Sequence, residues 1–72
     1  MRAKLQEMRK EKGYTQDTFS KACGISRSFY SQIESGEKNP SLDVALRMKK
    51  ILDYYDDDIF YNKMPQIVAN SP

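Results

Sequence analysis

Between residues 16 and 35 the chain has to fit two helices around a turn of only three or four residues. That constraint excludes most small folds. Gly24 falls just past the stretch carrying Phe19, Ala22 and Cys23, and Ser26 follows only two residues later. A glycine after a helix end supplies left-handed backbone, and a serine before one offers its hydroxyl to a first-turn amide. One helix must therefore stop and the next start almost at once. Ser20 is small where the two would approach most closely. Two short helices joined steeply through glycine form a helix-turn-helix, which can lay one helix across a phosphate backbone and the next into the major groove.

The rest of the chain reads in the same terms. Met1, Leu5 and Met8 stand at helical spacing in a first segment ending near Lys12, followed by Gly13. Thr15 caps the second helix, with Gln16 and Asp17 at its positive end. Tyr30 and Ile33 face inward from the third helix, which Ser35 and Gly36 stop. Asn39-Pro40 breaks the chain, because the residue before proline avoids helical backbone. Ser41 then caps a fourth helix with Leu42, Ala45, Leu46 and Leu52 on its main apolar face, widened by Val44, Met48 and Ile51. Asp56, Asp57 and Asp58 start a short fifth helix containing Ile59 and Phe60. After Pro65, Gln66 to Ala69 leave a short strand open as an alternative within a loose tail. The expectation is an all-α, compact five-helix domain over 1–62 and a tail over 63–72.

Composition removes most other chemistry. The chain has 72 residues, no histidine and one cysteine, Cys23. An intrachain disulfide, a His/Cys zinc site and a histidine-based triad are all excluded. No cofactor or metal is expected, and the chain does not read as an enzyme. The Asp56–Asp58 run lacks the alternating ligand spacing of a calcium loop and suits a helix start better. The N-terminus is polar, and no apolar run approaches a signal or membrane-spanning length, so a cytoplasmic protein is expected. Net charge is +2, but it is split unevenly. Residues 1–50 hold 11 Lys+Arg against 6 Asp+Glu, whereas residues 51–72 hold Lys63 against 4 Asp. A basic part is thus set against an acidic C-terminal end.

The stretches Gly13-Tyr14-Thr15-Gln16, Gly24-Ile25-Ser26-Arg27-Ser28, Gln32-Ile33-Glu34-Ser35-Gly36 and Asn39-Pro40-Ser41-Leu42 follow one another in an order that resembles the phage repressor and Cro-type helix-turn-helix family. The resemblance covers roughly residues 4–60. It implies a lambda-repressor-like DNA-binding domain that regulates transcription, most often as a repressor. The third helix would lie in the major groove of a palindromic operator bound by a homodimer. Carried across residue by residue, Arg27, Ser28 and Gln32 would meet base edges: Arg suits guanine, Gln suits adenine and Ser is permissive. Phe29 would either pack on a thymine methyl or tuck against the domain. Gln16, Thr15, Ser26, Lys38 and Asn39 would touch phosphates, with Thr15 primarily a cap and Lys38 alternatively a solvated loop charge. Arg9 and Glu34 match a structural salt bridge holding the recognition helix to helix 1.

Other positions take plainer roles. Tyr14 and Tyr30 belong to the core, and Cys23 reads as a small buried hydrophobe. Lys49 departs from the family, which places a small apolar residue there; its stem would snorkel outward or the helix would rotate slightly. Asp53 stands where the family often has glycine, and aspartate tolerates the turn geometry. A domain this small cannot bury all its C-terminal apolar side chains. A dimer interface through Tyr55, Ile59, Phe60, Tyr61, Met64, Ile67 and Val68 follows. Two other settings fit the same binding chemistry: an antitoxin whose C-terminal segment holds a toxin, and a restriction–modification controller. An antirepressor is a further partner to expect.

Overall fold

The computed structural model describes residues 1–61. Within them the chain is all-helical, with α1 (Ala3–Glu11), α2 (Gln16–Cys23), α3 (Arg27–Ser35) and α4 (Leu42–Leu52), then one 3₁₀ turn over Asp57–Phe60. The expected fifth helix is thus this single 3₁₀ turn. Four residues opening on consecutive aspartates offer neither the length nor the propensity for α-helix, and tighter 3₁₀ bonding is what such short segments adopt.

The starts of α2, α3 and α4 are each fixed by the hydroxyl expected from the sequence. Thr15, Ser26 and Ser41 accept from the amides of Thr18, Phe29 and Val44. Thr18 returns the favour: its Oγ1 accepts from the Thr15 amide at 2.9 Å, closing a reciprocal box. The ends are equally local. Gly24 has φ +73°, and beyond it the Ile25 amide donates to the Ser20 carbonyl at 3.0 Å. Asp53 ends α4 in the same left-handed geometry at φ +52°. Gly24 is also held by packing, because a Cβ there would meet Arg47 Nη1 at 3.1 Å. That guanidinium donates to the Cys23 carbonyl at 3.0 Å and so caps α2 from outside. Gly24→Ala should therefore lower stability by about 1–2 kcal/mol, read as an earlier urea midpoint with an unchanged slope.

The core consists of Leu5, Phe19, Cys23, Tyr30, Ile33, Val44, Met48, Leu52 and Ile59. Phe19 sits edge-on between Tyr14 and Tyr30, with ring centroids 5.4 and 5.2 Å away. Buried Ser20 lets the helices close, its hydroxyl donating back to the Asp17 carbonyl. Ala22, by contrast, faces solvent.

The buried face of α4 differs from the expected one. Val44, Met48 and Leu52 point inward at four-residue spacing, while Leu42 is 77% and Leu46 54% exposed. Lys49, next along the Leu42–Leu46 side of the helix, is not held out in water: its side chain is only 15% exposed. It pairs with Asp57, its ammonium 6.0 Å from the Phe60 ring centre. The 3₁₀ turn packs Ile59 completely into the core beside α1, so Ile59 leaves the expected dimer surface. Phe60 is half-buried, and Tyr55 and Tyr61 remain exposed. Met64, Ile67 and Val68, with the rest of the expected tail, lie outside the described residues.

At the other end, α1 starts at Ala3, which leaves Met1 half exposed and turns Arg2 inward. Sequence periodicity gives no sign of this, since arginine is rarely buried.

Candidate nucleic-acid interface

Residues on an α-helix advance by about 100° each. On α3 this gathers Arg27, Ser28, Ser31, Gln32 and Ser35 on one side, while Tyr30, Ile33 and Glu34 turn inward. Arg27 and Ser28 are exposed, with Ser31 and Gln32 partly so. The outward face is therefore a strip of polar donors on a helix about three turns long. Ser31 is part of it and is missing from the sequence-level set, although the spacing from Arg27 to Ser31 would have placed it there. Phe29 borders the strip but packs against the core, so tucking inward describes it better than free projection.

Around this strip stand the expected phosphate-side residues. Thr15 and Ser26 spend a lone pair on their caps, in bonds of 3.1 Å from Thr18 and Phe29. Gln16 opens α2, where the first amides have no partner within the helix and the dipole favours an anion. Its neighbour Asp17 would repel a phosphate, but Lys21 pairs with that carboxylate at 3.2 Å. Gln16 is not free: its Nε2 donates to Glu34 Oε1 at 2.9 Å, leaving one N–H and the carbonyl oxygen. Lys38 and Asn39 are exposed on the α3–α4 loop.

Glu34 is the hub beneath the strip. Arg9 Nε donates to its Oε2 at 3.0 Å, and the Tyr30 hydroxyl donates to the same oxygen at 2.6 Å. Both members of the ion pair are nearly fully buried. Arg9 also donates to the Tyr14 carbonyl at 2.6 Å. One carboxylate thus ties α1, the start of α2 and two turns of α3 together. Burial alone would raise its pKa, but hydrogen bonds from Tyr30, Gln16 and Arg9 and the guanidinium charge outweigh it and hold the group below its ordinary value. Burial, reinforced by the Glu34 carboxylate, pushes the Tyr30 hydroxyl well above its usual range.

These shifts fix how stability depends on pH. A carboxyl whose folded pKa is depressed contributes stability that is present above its unfolded value, about 4.5, and lost as pH falls through the folded one. A phenol whose folded pKa is raised contributes until pH passes its unfolded value of 10.0, and loses that contribution above it. Denaturant midpoints should therefore stay level near neutrality and fall on both sides. Glu34→Gln should flatten the acid limb.

The charge split at sequence level is partly internal. Arg2 and Arg9 are buried, while Lys21, Arg47 and Lys49 are paired with Asp17, Asp43 and Asp57. Arg27 and Lys38, both exposed, take part in none of the ion pairs among the described residues. Lys10, Lys12 and Lys50 are likewise exposed and outside those pairs, so of these five cations Arg27 lies on the α3 strip and Lys38 on the loop that follows it. Among these residues no helix is long and apolar enough to cross a membrane. Cys23 is buried and its thiol is pushed up to about 11, mainly by that burial, which leaves little thiolate at neutral pH.

Comparison with known proteins agrees with this arrangement. A family model described as helix-turn-helix matches residues 5–59. The uncharacterized HTH-type transcriptional regulator YqaF of Bacillus subtilis is 39% identical over 61 residues, covering 85% of this chain and 79% of YqaF. An uncharacterized HTH-type transcriptional regulator of Archaeoglobus fulgidus is 32% identical over 60 residues, covering 83% of this chain and 86% of its own length. A Pyrococcus furiosus protein whose name also carries the HTH-type transcriptional designation is 33% identical over 72 residues, and there the chain spans only 23% of the relative. No solved structure matches the chain. The matched region contains all four α-helices except the first two residues of α1, and it includes the whole α3 strip with the network beneath it. The chain belongs to the helix-turn-helix family of transcriptional regulators, of the phage repressor and Cro type, and membership implies DNA binding.

Proposed function

We infer that the chain binds double-stranded DNA sequence-specifically as a homodimer and represses transcription from a palindromic operator. The α3 strip carries this reading. Arg27, Ser28, Ser31 and Gln32 form an outward row of donors whose helix is held from behind by Glu34, the arrangement a major-groove reader needs. Arg27 would pair with a guanine, Gln32 with an adenine, and Ser28 would accept more than one base. Gln16, Thr15, Ser26, Lys38 and Asn39 would fix the register on the backbone. Gln16 contributes through the amides at the start of α2 as much as through its tethered side chain.

Support for a dimer comes from exposed apolar side chains outside this strip. Leu42, Leu46, Tyr55 and Tyr61 are all more than half exposed. A second copy covering them would relieve that exposure and set two recognition helices on successive major grooves. Repression needs no chemistry beyond occupancy of a promoter, and its place of action would be the cytoplasm. Selection of bound duplexes from a random pool tests the whole reading. An inverted repeat with half-sites about 34 Å apart is expected. Failure to enrich any sequence would overturn DNA recognition, and a single unpaired half-site would overturn the dimer alone.

A further inference from the structure

Arg2 is the largest fully buried side chain among the described residues, and it takes part in none of the ion pairs among them. Its guanidinium is satisfied by four oxygens from three segments. Nε donates to the Phe60 carbonyl at 2.8 Å, and Nη1 to the carbonyls of Ile33 and, at 3.0 Å, Lys38. Nη2 donates to Asn39 Oδ1 at 2.6 Å. The Arg2 amide itself donates to the Glu34 carbonyl at 2.8 Å. The charge sits at the C-terminal end of α3, where the helix dipole favours a cation.

The contact with Asn39 has a chemical consequence. A guanidinium has donors only, so the atom facing it must be the carboxamide oxygen. The Asn39 NH₂ is therefore the end turned away from Arg2, on an exposed residue. Lys38 is clamped on both sides of its residue: its amide donates to the Gln32 carbonyl at 3.1 Å, and its carbonyl accepts from Arg2. The loop is thus locked to the same turn of α3 that carries Gln32.

We propose that Arg2 is a positioning residue for DNA binding. It sets the α3–α4 loop so that the Asn39 NH₂ meets a backbone phosphate in fixed register with the base contacts of α3. The proposal rests on the DNA-binding role given above. Removing Arg2 loosens that loop and costs one phosphate contact without changing which bases are preferred.

Phosphate-ethylation interference on a duplex recovered from the random pool tests this, with thermal melting to confirm folding. Asn39→Ala should erase interference at one phosphate per half-site and weaken binding about tenfold. Arg2→Lys should erase the same signal alone, and the double variant should bind no more weakly than Asn39→Ala. An intact signal in Arg2→Lys, or losses that multiply in the double variant, would overturn the positioning role while leaving DNA binding in place. If Asn39→Ala changes neither signal nor affinity, the Asn39 contact falls and the proposal falls with it. Should Arg2→Lys fail to fold, Asn39→Asp decides. It keeps an acceptor for Arg2 but turns an oxygen toward the phosphate, so it should melt no lower than the parent and bind more than tenfold more weakly. Undiminished binding by that variant would overturn the proposal.

Discussion

Glu34→Ala should destabilise the domain by about 3–5 kcal/mol, enough to unfold much of the population near physiological temperature. The substitution leaves the Arg9 guanidinium nearly fully buried with only the Tyr14 carbonyl beside it, and orphans the Tyr30 hydroxyl in the core. Unpaired buried charge is the most expensive of these effects, because the ion loses both water and its counter-charge. Arg9→Ala should cost a similar amount, since the carboxylate then loses its main counter-ion while keeping Tyr30 and Gln16. Removing both should cost less than either single change implies. Urea unfolding of the two single variants and the double gives the coupling directly; free energies that simply add would show that the pair contributes nothing of its own.

Arg27→Ala should weaken binding to the selected operator by about 1–3 kcal/mol and flatten preference at one base pair per half-site. Its effect on folding should be small, because the side chain is exposed and makes none of the described ion pairs. Lys38→Ala should behave differently. Loss of a phosphate contact lowers affinity for all sequences alike and reduces the slope of log affinity against log salt by about one per site. Gln16→Ala should fall between the two classes of effect: it weakens binding across sequences, and it also lowers stability by about 1 kcal/mol through the lost bond to Glu34. Titrations at several salt concentrations, on operator and scrambled duplexes, separate the three. A sequence-blind loss from Arg27→Ala would mean that the strip faces phosphate rather than bases.

The part of the fold legible in the sequence is the chemistry that acts within four or five residues. Thr15, Ser26 and Ser41 cap because a hydroxyl needs only its own first turn. Gly24 and Asp53 take left-handed backbone for reasons equally local. The Arg9–Glu34 pair could be expected because it travels with the motif it resembles. Positions decided by convergence of distant segments were hidden. Arg2 is buried because Ile33, Lys38, Asn39 and Phe60 present oxygens to a single point, and no pattern around residue 2 encodes that. The buried face of α4 was ambiguous because apolar residues nearly encircle that helix. Packing against the rest of the core decides between its stripes, and Val44, Met48 and Leu52 are the residues it buries. The same convergence corrects the charge argument, since two of the eleven cations before residue 51 serve the interior.

The central claim is that the outward strip of α3 reads base pairs from the major groove. Guanine N7 lies in that groove and nowhere else on the duplex, so methylation protection at N7 reports directly on it. On a duplex recovered from the random pool, the chain should protect guanine N7 in both half-sites. Arg27→Ala should release one of those guanines in each half-site and leave the others covered. Protection of minor-groove adenine N3 without protection at N7, or an N7 pattern that Arg27→Ala does not alter, would contradict the assignment of α3 as the reading helix.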